Sequence, residues 1–323
     1  MGGRPELIDA SHSPVAELVG DRGKSAETDD FFRSRAFYDA EGVSHTLRLS
    51  SGDARLALPL LVREIEGTGL TDAVSPYGYP GAAVSGDGEV VDPRQVDWST
   101  TGLVSVFARD RVGSDPCLAR STRRSMVLVH DPSRERRIRA RFIEQIRRNA
   151  KQGYHVEVLE GPETSVEQRS SFHALYTETM DRAEAAQRYF FDLEYFTGVL
   201  TFERSWLILC RSPETITAAG AIAALSDEVL HYYLGGTAAA HLEVSPFKNV
   251  ALALVDLADE LGVPLNLGGG VRPGDGLEDF KRGFANAELP FHTHEIVCNR
   301  DAYARLAEGR ADSDYFPAYR APG

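Results

Sequence analysis

The sequence predicts an α/β (α+β) fold in two domains, built from alternating strands and helices. Three observations carry that expectation. The chain has 323 residues, more than one hydrophobic core usually organises. Short apolar or alternating runs give way repeatedly to amphipathic helical stretches. Hydrophobic residues make up 42% and charged residues 26%, a balance that supports buried cores under a solvated surface. The basic stretch after residue 131 sets the boundary, with a first domain over 1–131 and a second over 132–323. About the last 25 residues are placed to pack back on the first domain.

Met-Gly-Gly-Arg-Pro-Glu at the start has no apolar region of a signal peptide, and Glu6 stands where myristoylation wants Ser or Thr. The longest apolar run, Ala218 to Leu225, is far too short to span a bilayer, so no membrane insertion and a cytoplasmic location are expected. Residues 44–49 alternate polar and apolar as a half-buried strand, and 55–63 read as a longer, more buried one. Gly- and Pro-containing stretches from 75 to 95 mark long loops, and the strand 125–131 closes this half. From Arg134 to Lys151, Ile138, Phe142 and Ile146 recur every four residues, which predicts an amphipathic helix. Strand 154–159 follows, then a helix with Phe172, Leu175, Tyr176, Thr179 and Met180 at the 3.6 period. Strands 205–210, 217–225 and 228–234 read as a meander. The helix 248–261 aligns Val250, Leu254, Leu257, Ala258 and Leu261, and strand 264–267 ends the series.

That last strand runs into three glycines, Gly268 to Gly270, then a Pro/Gly turn, then Phe280, Lys281 and Phe284 at the spacing of one helical face. Glycines at a strand end let backbone approach a ligand and permit positive φ. A lysine held between aromatics just beyond them is desolvated and fixed, suited to an oxyanion or a phosphate. A plain turn with a solvated lysine is the competing reading. The stretch lacks Gly-Lys-Ser/Thr and the G-x-G-x-x-G order, so it is neither a Walker loop nor a dinucleotide fingerprint.

Net charge is −13, which argues against general affinity for nucleic acid. The stretch from Arg134 to Lys151 departs from this, with eight basic residues against Glu135 and Glu144. It is either a solvated charged face or a local phosphate-binding patch, with Arg136, Arg139, Arg147 and Arg148 as candidate contacts to one tRNA arm. The three cysteines, Cys117, Cys210 and Cys298, lack metal or redox spacing and read as reduced structural thiols. His292 and His294 alternate along a strand, without a third ligand at helpful spacing, and His173 joins no cluster; no metal is expected. No Gly-x-Ser-x-Gly elbow occurs, and no Ser or Cys nucleophile is nominated.

The run "LGGG…GLEDFKRGF", preceded by "FKNVALALVDLADELG", resembles the C-terminal signature of Fem-type (FemABX-like) aminoacyltransferases and related GNAT-like acyltransferases. "DDFFRSRAF", "SPYGYPG" at 75–81, "IRRNAKQGYHVEV" at 146–158, "LYTETMDR" at 175–182 and "HYYLGG" at 231–236 follow in the same order over most of the chain. The resemblance implies tandem GNAT-like domains and an aminoacyltransferase forming an amide. Aminoacyl-tRNA would be the donor, a small biosynthetic amine or a peptidoglycan precursor the acceptor, and no cofactor is implied. Lys281 maps to the family's catalytic lysine, after Phe280. By approximate spacing, substrate positions map to Tyr233, Arg182, Arg188, Tyr189 and Arg35, and to Tyr77 and Tyr79 in the N-domain loop.

Two departures bear on the donor. CoA-dependent GNAT enzymes place a glycine-rich turn at the start of the helix after the meander, but no glycine occurs between Gly236 and Gly262. Phe247, Lys248 and Asn249 stand there instead. Nothing between 160 and 200 is long enough for the coiled-coil insertion that peptidoglycan-directed members often carry for tRNA. An acyl-CoA-dependent GNAT N-acyltransferase and a catalytically idle binding protein remain the alternatives.

Overall fold

A computed structural model of the chain describes residues 14–20, 30–51, 53–86, 91–270, 272, 274–310 and 315–321. The signal-peptide and myristoylation readings lie outside the described residues, as do Val271 and Pro273 of the glycine loop and residues 87–90 of the long loop. In chain order the strands are β1 (Val15–Val19), β2 (His45–Ser51), β3 (Ala54–Ile65), β4 (Leu70–Val74), β5 (Ala83–Ser85), β6 (Leu103–Arg109), β7 (Thr122–His130), β8 (His155–Glu160), β9 (Ser205–Arg211), β10 (Thr217–Ser226), β11 (Val229–Thr237), β12 (Leu265–Gly268) and β13 (Ala287–Val297). The helices are α1 (Arg35–Glu41), α2 (Ala140–Lys151), α3 (Val166–Arg182), α4 (Leu193–Val199), α5 (Phe247–Leu261), α6 (Gly276–Arg282) and α7 (Arg300–Leu306).

Two compact units form, neither continuous in sequence. One gathers Met1–Lys24, Gly42–Arg124 and Phe291–Gly323; the other gathers Ser25–Glu41 and Ser125–Pro290. A single cut at residue 131 differs from this in three places, each with a physical reason. Ser25–Glu41 belongs to the second unit because Arg33 ion-pairs with Asp227 at 2.6 Å and α1 packs on α4. Strand β7, expected to close the first half, pairs antiparallel with β12. The end of β13 pairs with β6, carrying the C-terminal residues into the first unit.

In the first unit the sheet order is β1-β2-β3-β4-β6-β13, with β5 on β3. Pairing is antiparallel except between β4 and β6. Leu47 and Leu49 of β2 turn inward while Arg48 stays exposed, the period-two pattern the sequence showed. They meet Leu58 and Leu60 of β3 and Val106 of β6 in one core.

The second unit orders its strands β7-β12-β11-β10-β9-β8. Strands β8 to β11 form an antiparallel meander, and α5 is the crossover that makes β11 and β12 parallel. Strand β10 is buried at every position, which explains its continuous run of small apolar residues. Helix α3 starts at a capping box made by Ser165 and Gln168. It lies close on β11, where a Cβ on Gly236 would stand 2.5 Å from Thr179 Oγ1. Val250, Leu254 and Ala258 of α5 are buried, but Leu261, at the helix end, is 37% exposed.

The basic helix is shorter than its apolar spacing predicts. It begins at Ala140, so Arg134 to Arg139, and Ile138 with them, precede it. The N–H of Arg139 bonds the Gly283 carbonyl at 3.0 Å, a tertiary contact where a helix from Arg134 would place an intrahelical one.

Candidate active site

The site sits where two parallel strands of the second unit part. Strands β11 and β12 share the register pairs Leu230↔Leu265 and His231↔Asn266. Beyond them β11 continues to Thr237, through a register shift opposite Ile222 and Ala223 that leaves Tyr233 as the extra residue. Strand β12 stops at Gly268, whose φ of +75° suits only glycine well. The loop after it is fixed by Asp275, which accepts the N–H groups of Arg272 and Glu278 at 2.9 and 2.8 Å and thereby caps α6. Gly270 is required beside it, since a Cβ there would approach Asp275 Oδ1 to 2.4 Å.

Helix α6 presents Lys281 to β11 and to the end of β12. Its Nζ donates to the Gly269 carbonyl at 2.8 Å and stands 5.5 Å from the centroid of the Tyr232 ring. The residue is 9% exposed. Burial pushes the ammonium down to about 8, against the opposing pull of Asp275. One of its three donors is thus occupied by a loop carbonyl, and among the described residues no other acceptor takes the remaining two.

Phe280, expected at the substrate, packs among Phe142, Phe247 and Phe284 at centroid distances of 5.6, 6.0 and 5.6 Å. It also lines an open groove with Arg141, Phe142, Gln145, Arg148 and Lys248. Lys248 in the first turn of α5 lies 5.1 Å over the Phe142 ring, and burial, with Arg141 nearby, lowers its pKa. Arg136 and Arg139 are engaged elsewhere. Arg136 bonds Asp259 and Asp256 at 3.0 and 2.6 Å, and Arg139 makes two bonds to Asp279 at 2.8 and 2.7 Å. Arg147 and Arg148 are exposed and have no ion pair among the described residues.

The remaining nominated residues of the second unit make their described contacts away from Lys281. Tyr233 is 8% exposed; its hydroxyl meets those of Tyr195 and the Glu41 carboxylate (3.2 Å), and its ring packs on Phe31. Burial and Glu41 hold the Tyr195 phenol well above its usual range. The neighbour Tyr232, not nominated, is the tyrosine that touches Lys281; "HYYLGG" contained both, and the bulge hides which one faces the lysine. Arg35 is exposed and pairs with Asp39 at 2.8 Å, whereas Arg33, also missed, holds Asp227 and Asp30. Arg182 donates to the Thr237 carbonyl at 2.9 Å. The Arg188 guanidinium lies 4.8 Å over the Tyr189 ring, and the Tyr189 carbonyl accepts from Tyr176. Tyr77 and Tyr79 belong to the first unit, where Tyr79 meets Phe291 edge-on at 5.0 Å. Burial pushes the Cys210 and Cys298 thiols up to about 12 and Cys117 higher still, which disfavours thiolate nucleophiles. Among the described residues no helix is long and apolar enough to cross a membrane.

No protein-family model and no curated protein matches the chain. Solved structures do match. FemX is 12% identical with a TM-score of 0.53, over 80% of this chain and 90% of that one. The C-terminal domain of a protein from Agrobacterium fabrum named as a lysylphosphatidylglycerol synthetase is 14% identical, with a TM-score of 0.57 over 87% and 91%. L-PGS from Bacillus licheniformis is 14% identical, with a TM-score of 0.52 over 77% and 82%. At such identities the likeness is one of fold. The Fem-like, mixed α/β architecture expected from the motifs is the architecture these structures share with the chain.

Proposed function

We propose that the protein is an acyltransferase that joins an aminoacyl group, carried as an ester on tRNA, to an amine. Its acceptor is a small amine or a peptidoglycan precursor. The observation that carries this reading is the buried ammonium of Lys281 at the parting of β11 and β12, with one donor on Gly269 and the other two without an acceptor among the described residues. A neutral amine attacks the ester carbonyl, the carbonyl oxygen becomes an oxyanion, and the ester C–O bond breaks as the amide forms. The ribose oxygen leaves and takes up the proton lost by the amine. A fixed cation beside the developing oxyanion stabilises that transition state more than the ground state.

Three further features support the reading. The fold is that of FemX and of a protein whose name places a lysyl group on phosphatidylglycerol, so the hydroxyl of a lipid headgroup is to be tried as an acceptor beside the amines. The groove carries Arg141, Arg148 and Lys248 against Glu144 and Asp279, with Arg141 3.5 Å from Asp279, so Arg148 and Lys248 are the cations it offers to phosphates. At the start of α5 the Phe247 ring lies 5.5 Å from Tyr232, where a CoA-binding turn would expose backbone amides.

The groove also favours the second reading, since the same cations suit the pyrophosphate of an acyl-CoA. Purified protein supplied with charged tRNA or acetyl-CoA as separate donors, each with a panel of amines, decides by mass spectrometry of the products. An amide formed from charged tRNA is expected. An amide formed only from acetyl-CoA replaces the donor, and tight ligand binding without any product replaces the enzyme with the idle binder.

A further inference from the structure

The first unit contains a convergence of metal-ligating side chains that no local sequence spacing announces. Asp110 follows β6, Cys117 stands in the loop beyond it, and His294 lies on β13 opposite Ala108. Their ligand atoms all lie within 4.8 Å of one another. His294 Nε2 is 2.8 Å from Asp110 Oδ2 and 3.4 Å from Cys117 Sγ. Asp110 and His294 are each 1% exposed, and Cys117 is half-buried.

The other face of the imidazole fixes what Nε2 can do. His294 Nδ1 lies 2.8 Å from the Arg120 carbonyl, an acceptor only, so Nδ1 carries a hydrogen and donates it. In the neutral ring Nε2 then has a lone pair, aimed at a carboxylate oxygen 2.8 Å away. Two lone pairs at that distance need a positive charge between them, either a proton or a metal ion. A carbonyl that anchors Nδ1–H is also the usual outer support of a histidine that ligates through Nε2. Across a tetrahedral zinc, ligand nitrogen and sulfur stand roughly 3.6 Å apart and nitrogen and oxygen roughly 3.3 Å. The 3.4 Å separation already fits, and the 2.8 Å one needs to open by about half an ångström.

We propose that Asp110, Cys117 and His294 bind one zinc ion. The ion displaces the Cys117 thiol proton to water, and the resulting thiolate, with one imidazole and one carboxylate, forms a borderline-soft set that suits Zn²⁺ better than Mg²⁺ or Ca²⁺. Asp110 and Cys117 also line an open cleft with Leu56, Arg111 and Asp115, so the fourth position is filled by water from that cleft. The ion ties the loop after β6 to β13, joining chain segments 184 residues apart. This site lies in the first unit and is independent of the transfer reaction proposed at Lys281.

The test is metal content and cobalt spectroscopy on the full chain. After loading with Zn²⁺ and desalting, the wild type should retain about one equivalent by elemental analysis and gain thermal stability. With Co²⁺ it should show a near-ultraviolet thiolate-to-cobalt charge-transfer band and the visible bands of a tetrahedral ion. Cys117→Ser should lose the charge-transfer band. His294→Gln should weaken zinc binding at least about a hundred-fold, beyond what removal of an outer partner costs. Cys298→Ala should keep the band. A wild type that retains no zinc and develops no cobalt spectrum overturns the proposal in favour of a proton-bridged Asp–His pair, and so does a band that survives in Cys117→Ser.

Discussion

Lys281 is charged where charge is costly, and its behaviour with pH follows. The ammonium titrates at about 8 in the fold and near 10.4 in the unfolded chain. Below pH 8 both states hold the proton and the folded state carries the cost of the buried charge, at most roughly 3 kcal/mol. Between pH 8 and about 10.4 the unfolded chain binds the extra proton, so this contribution makes stability rise with pH over that window. Activity should move the other way. An oxyanion stabiliser must be protonated, so kcat/KM should fall as pH rises through about 8, once the acceptor amine is neutral. A pH–rate profile flat from 7 to about 9.5 removes Lys281 from the protonated role. Lys281→Arg should restore little, because a planar guanidinium does not fit a pocket closed by Gly269 and Tyr232.

Among single elements, the basic stretch divides at the start of α2: Arg136 and Arg139 before it are ion-paired to neighbouring helices, whereas Arg147 and Arg148 of α2 stay exposed. Arg136 and Arg139 neutralise Asp256, Asp259 and Asp279, while Arg147 and Arg148 keep their charges exposed. If the exposed pair contacts RNA, replacing both with Gln should flatten the slope of log affinity against log salt by about 0.7–0.9 for each. Thermal stability should barely change. The Arg136/Arg139 double Gln variant should alter the slope less; an equal or larger effect there places the RNA surface elsewhere. Packing between α2 and α6 is tight at Gly283, where a Cβ would stand 2.1 Å from the Phe142 ring. Gly283→Ala should therefore destabilise by about 1–3 kcal/mol, read as a lowered denaturation midpoint. An unchanged midpoint would mean that α2 and α6 separate easily.

The helix start at Ala140 was illegible because Ile138, Phe142 and Ile146 keep helical spacing while Arg139 docks on Gly283. The meander and α5 were legible because apolar period and burial coincide there. Lys281 stood out for its place between Phe280 and Phe284 in the sequence, but those rings pack on each other and on Phe142, and the ring beside the ammonium is Tyr232. Tyr232 did not stand out, since a bulge breaks the alternation that would have separated it from Tyr233.

At the scale of the whole molecule, the two units interleave in sequence, a property no local pattern encodes. The first unit needs Thr293 to Val297 as the neighbour of β6, whose Val104, Val106 and Ala108 are buried. A fragment ending at residue 131 therefore lacks a sheet partner and should aggregate or be proteolysed rapidly, although its own strands read well in the sequence. A stable, cooperatively folding 1–131 fragment would show that β13 is dispensable. The cluster of Asp110, Cys117 and His294 was hidden for the same reason, because it forms only when β13 returns to β6.

In the proposed transfer the buried Lys281 ammonium stabilises the oxyanion. The most direct test of that role is the single-turnover rate of product formation from saturating donor, measured at pH 7 for wild type and Lys281→Met together with their melting temperatures. The rate should fall by about 10²–10³. Melting temperature should hold or rise, because methionine fills the site without a desolvated charge and water can reach the half-buried Gly269 carbonyl. A wild-type rate in the methionine variant would contradict the account.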